Sequence, residues 1–337
     1  MQYQTNYRTD NIALKNMNLP KIHSISKKIL VALVGSFLLI FLLFHAVANL
    51  FILRHDGGAW YSDFCHFMGS NWIVKAFEVV LLGCILLHIA LTLWLALTNR
   101  LARPVRYHHP QRSKTHSTSK LMVWTGILIF ACLILHFSDF YFVKLGFVKG
   151  QYMVKTEKLQ SEELNAFAQA ALQYGMSPED FLAANEQQLE MYADQISPEQ
   201  RAEIDNQMDK FRAMVPVANI LSKAQSDGHL SSDGKWIKSI TYEEKEALKA
   251  ALPEADPEPD FYYMTREKFS ILHIVIGYLV FFVVLFFHLR HACASAFQTL
   301  GLNNYKYNNI IEVLAQIYTW VVCLMFAAVP VLVYLGM

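Results

Sequence analysis

Four histidines, His45, His88, His136 and His288, each lie inside a different run of apolar residues. An ionisable side chain is costly to bury in hydrocarbon, so its presence in such a run points to function. Neutral imidazole is the commonest metal ligand in proteins. Two imidazoles from separate helices can fill both axial positions of a haem iron, and the levels of these four suggest two such pairs.

The apolar runs fix the class. The chain is 54% hydrophobic and only 17% charged, and its charges gather in the connections. Five runs, roughly Ile29–Leu53, Trp72–Leu97, Leu121–Val143, Ile271–Ala294 and Ile310–Tyr334, are long enough to cross a hydrocarbon core of about 30 Å. The expectation is an all-α integral membrane protein whose five transmembrane helices form a haem-binding bundle. A helical extramembrane insertion is expected between helices three and four. The divisions are an N-terminal arm (1–28), helices one to three (29–144), the insertion (145–268) and helices four and five (269–337). The arm is polar and no cleavage site follows a short apolar core, so the first span is expected to be retained.

Lysine and arginine give an orientation. Arg8, Lys15, Lys21, Lys27 and Lys28 precede the first span, and Arg100, Arg103, Arg106, Arg112, Lys114 and Lys120 lie between the second and third. The loop between the first and second has only Arg54 and Lys75. Positive-inside logic puts the N-terminus in the cytoplasm, and the C-terminus and insertion outside. Residues 151–268 carry 22 acidic and 12 basic side chains, net −10, so the chain's +1 hides two opposed halves. Within them Ser197–Gln200 and Thr241–Glu244 fit the capping box, Ser177–Asp180 is a related start, and Ser161 precedes a helix expected to run to Gln173. The acidic, Pro-containing stretch Pro253–Asp260 reads as a linker. No ligand-type cluster occurs in the insertion, so it is not expected to be needed for haem binding.

Helical rise sets the depths. His45 and His136 lie 15–16 positions past the starts of two outward-running spans, about 22–24 Å from the inner face. His88 and His288 lie 16–17 positions past the starts of two inward-running spans, about 24–26 Å from the outer face. His45 therefore pairs with His136 at an outer level and His88 with His288 at an inner level, about 15 Å apart along the normal. His291, one turn beyond His288, is a rival ligand. Asn49 and Asp139 follow His45 and His136 on the ligand face, where each could orient an imidazole or reach a quinone. Gly277, three turns before His288, would leave a gap at the outer level. Lys28, Arg100 and Arg290 inside, and Arg54 outside, are candidate partners for haem propionates. The five cysteines are expected to be inert, and no C-x-x-C-H occurs, so covalent haem is not expected.

Taken together, His45-Ala-Val-Ala-Asn49, Leu86-Leu87-His88, His136-Phe-Ser-Asp139 and Phe287-His288-Leu-Arg-His291, followed by Ser295–Gly301, resemble a known family. It is the single-subunit, five-span dihaem cytochrome b anchor of succinate dehydrogenase and fumarate reductase. The resemblance covers roughly residues 25–145 and 268–337. It implies two haem b groups, the outer on spans one and three and the inner on spans two and four, and it favours His288 over His291. It also implies a quinone substrate, menaquinone in the first instance, and a bacterial cytoplasmic membrane. The implied partners are a flavoprotein subunit and an iron–sulfur subunit on the cytoplasmic face. No nucleic-acid partner is expected. The acidic insertion departs from the family pattern. Phe286 stands where one fumarate-reducing branch has a glutamate, which favours the succinate-oxidising direction. Two alternatives remain open: a dihaem anchor of another quinone-linked oxidoreductase, such as a nitrate reductase or hydrogenase, and a haem-free proton-coupled transporter.

Overall fold

The computed structural model describes residues 24–101, 117–159, 162–192, 195–302 and 304–337. Most of the basic arm, the basic loop 102–116 and Ser161 lie outside the described residues. The first three long helices are α1 (Ser24–Leu50), α3 (Trp72–Leu101) and α4 (Ser117–His136). A π-helical turn, Phe137–Tyr141, and a last turn, Phe142–Lys144, extend α4. The short helix α2 (Ala59–Ser70) joins the first two spans. The last two spans are α10 (Leu272–Thr299) and α11 (Asn308–Tyr334). All five are long and apolar enough to cross a membrane.

The packing pattern suits a bilayer. α10 is central and lies against α11, α4 and α1. A core of Ala46, Phe282, Leu285, Leu289, Val322 and Cys323 holds these helices together. No residue of α3 is buried, and Leu86, Trp124, Leu135, Ile276 and Trp320 are exposed. So much exposed apolar surface would aggregate in water but matches lipid. α3 meets α4 over only a short stretch, which leaves the two helices loosely joined.

Between α4 and α10 lies a separate α/β domain with its own core. Its helices are α5 (Glu162–Gln173), α6 (Pro178–Met191), α7 (Pro198–Ser226), α8 (Tyr242–Ala251) and α9 (Phe261–Phe269). The capping boxes at Ser197 and Thr241 both form, and Ser177 Oγ accepts from the Asp180 N–H. Each such cap stabilises its helix by about 1 kcal/mol.

The domain is not wholly helical. Strands β1 (Tyr152–Lys155), β2 (Trp236–Ile240) and β3 (Glu258–Pro259) form an antiparallel sheet in the order β2-β1-β3. Both faces of β2 are buried, so it lacks the alternation that marks a half-exposed strand. The stretch read as a linker holds more than a connection. Glu258 and Pro259 pair with β1 at the sheet edge, where proline is tolerated. Asp260, fully buried, caps α9 by accepting from the Tyr263 N–H. Burial raises its carboxyl above the usual range, while that N–H and nearby Lys238 pull the other way.

The domain sits on the end of the bundle formed by the α1–α2 connection. Trp236 Nε1 donates to Asp63 at 2.7 Å, Lys238 Nζ to the Gly57 carbonyl at 2.6 Å, and Ser232 Oγ to the Asp56 carbonyl at 2.6 Å. His66 Nδ1 lies 2.6 Å from Glu258. Gly58 has φ 77°, and a Cβ there would come 2.5 Å from the Tyr262 ring and 2.7 Å from Lys238 Nζ. Only glycine meets both demands. Cys65 is enclosed at this interface, and burial pushes its thiol up to about 12, so it stays protonated and unreactive.

Candidate functional site: two histidine pairs in the bundle

The first pair lies towards the domain. The His45 and His136 rings have centroids 6.0 Å apart and are nearly perpendicular, at 80°. Two metal–nitrogen bonds of about 2.0 Å and two ring half-widths of about 1.1 Å add to about 6 Å, so the separation fits one iron held between the rings. Phe41 stacks on His45 at 5.3 Å, Phe326 lies 5.8 Å from it, and Phe140 lies 5.3 Å from His136. These rings give the pair an aromatic surround.

The residues singled out beside this pair belong to two polar chains. Asn49 Nδ2 donates to the His45 carbonyl at 2.7 Å and lies 3.4 Å from His45 Nδ1. Tyr61 of α2 donates to Asn49 Oδ1 at 3.3 Å. On the other side, Asp139 accepts from Lys268 Nζ at 2.8 Å and from the Tyr278 hydroxyl at 3.1 Å. The Tyr278 ring is 6.4 Å from His136. The π-helical turn carries Asp139 and directs it towards α9 and α10, while Tyr141 of the same turn donates to Glu78 of α3 at 2.7 Å. π-Turns of this kind often mark functional positions. Lys268 and Tyr278 lie over 120 residues from Asp139 in the chain, so no local spacing could have revealed them.

The second pair lies farther from the domain. His288 lies near enough to His88 and to His291 for their charges to be felt at its ring. Thr125 Oγ1 is 3.1 Å from His288 Nδ1. His88 Nδ1 is buried and has no hydrogen-bond partner among the described residues. Two glycines adjoin this pair: a Cβ on Gly35 would come 3.7 Å from His88 Cε1, and one on Gly126 3.5 Å from His288 Cε1. Each lies ten residues before the other pair's histidine in its helix, about 15 Å along the axis. That spacing was available in the sequence, although Gly277 was the glycine singled out there. A Cβ on Gly277 would meet nothing within 4 Å.

The candidate propionate partners are placed less tellingly. Arg54 pairs with Asp56 at 2.9 Å and lies over Trp60. Lys28, Arg100 and Arg290 are exposed. Among the described residues no group of three or more His, Cys, Asp or Glu is disposed to hold a metal ion, so pairs are what the bundle offers. Axial ligation asks for two residues per iron, since the macrocycle supplies the rest. All five cysteines are free.

Ligation at His288 means that His291→Ala should leave low-spin bis-histidine spectra at both levels. The check is electron paramagnetic resonance of the oxidised protein. Loss of one low-spin signal in that variant, with His288→Ala unaffected, would move the ligand one turn along α10.

Searches against protein-family models, curated proteins and solved structures found no match to this chain.

Proposed function

We propose that this chain is the dihaem cytochrome b membrane subunit of a succinate:quinone oxidoreductase. The observation that carries the reading is the apposition of His45 and His136, with a second pair, His88 and His288, on the other two helices of the set. Two b-type haems held this way would pass single electrons across the bilayer, and the protein would supply ligands, burial and orientation.

The residues divide that work. His45 and His136 would hold the haem nearer the domain, and His88 and His288 the other. Phe41, Phe140 and Phe326 would pack around the haem of the first pair. Gly35 and Gly126 keep side chains off the second. Asp139, held by Lys268 and Tyr278, is a carboxylate poised at one end of the bundle to relay a proton to a quinone as it is reduced, or to orient His136. By resemblance the quinone is menaquinone. The dicarboxylate chemistry belongs to a flavoprotein subunit, reached through an iron–sulfur subunit on the face opposite the domain. The basic segments before α1 and after α3 favour that face as cytoplasmic in a bacterial inner membrane.

The test is a dithionite-reduced minus oxidised spectrum of the purified chain, with haem measured as its pyridine complex. Two b-type haems per chain are expected. Protein that folds in the membrane without haem would sink the reading and leave the proton-coupled transporter. Haem that succinate cannot reduce in the assembled complex would point to a different quinone-linked oxidoreductase.

A further inference from the structure

We infer that Thr125 is a positioning residue that fixes the tautomer of His288 and leaves Nε2 of that ring free to bind iron. The inference rests on the haem reading above. Thr125 Oγ1 lies 3.1 Å from three groups: the carbonyls of Leu121 and Met122 in its own helix, and Nδ1 of His288. A threonine hydroxyl has one hydrogen to give and two lone pairs. In a helix that hydrogen goes to a carbonyl three or four residues back. The oxygen then presents a lone pair to His288, so Nδ1–H donates to Oγ1. An imidazole that donates from Nδ1 carries its free lone pair on Nε2.

The neighbouring residues suit that role. Gly126 follows Thr125 and leaves the Cε1 edge of His288 uncrowded. Across the pair, the Thr92 hydroxyl bonds instead to the His88 carbonyl at 2.7 Å, and His88 Nδ1 has no partner among the described residues. The two ligands of one site are thus held unequally, His288 by a fixed acceptor and His88 by its helix alone. A hydrogen bond from the outer nitrogen of a ligating histidine raises its basicity and stabilises the ferric state.

The experiment uses the full chain purified from membranes, with four variants. Thr125→Val keeps the shape and removes the acceptor, Thr125→Ala does so without a branched side chain, and Thr125→Ser restores the oxygen. Thr98→Val is the control, because that hydroxyl bonds only carbonyls of its own helix and is exposed. The readouts are haem per chain, low-spin resonance positions and a redox titration. Thr125→Val and Thr125→Ala should shift the ferric–ferrous equilibrium of one haem about tenfold towards ferrous, about 59 mV for one electron. Haem retention at that site should fall about 10-fold or more. Thr125→Ser and Thr98→Val should match the parent.

Parent-like titration and retention in both acceptor-free variants would overturn the inference while leaving two haems in place. A Thr125→Ser variant that behaves like Thr125→Val would also overturn it, because restoring the oxygen would not restore the effect. Failure of both acceptor-free variants to accumulate, with Thr125→Ser normal, would show that the hydroxyl is needed for folding through its own helix carbonyls rather than for the ring, and would overturn it too. A parent chain without haem would instead sink the underlying reading.

Discussion

Alanine at His45 or His136 should leave the chain with one haem, and alanine at His88 or His288 should leave it with the other one. The parent should hold two. The two pairs draw on separate helices, α1 with α4 and α3 with α10, and lie about 15 Å apart along the bundle axis by helical rise. Removing one imidazole halves the protein ligands of one iron and touches none at the other level. The effect should be large: loss of one full equivalent of haem and of one low-spin signal, with the second signal unmoved. On the proposed function, succinate-driven reduction should still reach the remaining haem in the His45 and His136 variants, because the intact pair would be the one facing the proposed iron–sulfur partner. In the His88 and His288 variants it should slow steeply. Pyridine-complex quantitation and electron paramagnetic resonance on the same samples decide the matter. Loss of both haems from every single variant, with the bundle still folded, would mean one shared site and would sink the pairing.

Much of this arrangement could be read from the chain because the membrane constrains it. A span needs about 20 apolar residues, so the five helices stand out as uninterrupted runs. Their ends were harder to place. α3 runs on to Leu101 although its apolar run stops at Leu97, because Thr98, Asn99 and Arg100 stay helical beyond the apolar run. Histidine depth was legible because helical rise is fixed, and the capping boxes were legible because their partners lie three residues apart. The sheet was not. β1 has four residues and β3 two, and β2 contains Lys238 and Ser239, the latter at φ 58°. Neither an alternating pattern nor a long β-branched run survives there. The contacts that shape the sites are equally silent in sequence: Thr125 and His288 are 163 residues apart, and Asp139 and Lys268 are 129. Such pairs follow from how α10 settles against α4 and α9, and only the folded chain brings them together.

The domain interface alters one expectation drawn from composition alone. An acidic segment without a ligand-type cluster was expected to be dispensable for haem binding. The structure ties it to the pair nearer the domain by two routes. Trp236, Lys238, Ser232 and Glu258 hold the α1–α2 connection and α2, from which Tyr61 reaches Asn49 beside His45. α9 supplies Lys268 to Asp139 beside His136. Replacing residues 151–259 with a Gly/Ser linker keeps α9 and removes the first route. Both haems should remain, since no ligand is lost. The resonance of the His45/His136 haem should shift, and that haem should become more accessible to hydrophilic reductants, while the signal of the other should stay fixed. The orientation is tested in the same preparation. Trypsin added to the outer face of spheroplasts should cut the parent within 151–259, where Arg201, Lys210 and Lys249 are exposed, and spare the 102–116 loop. Cleavage from the cytoplasmic side alone would reverse the topology. A shift confined to the His88/His288 haem would show that the domain acts on the pair it does not touch, and the two-route account would fall.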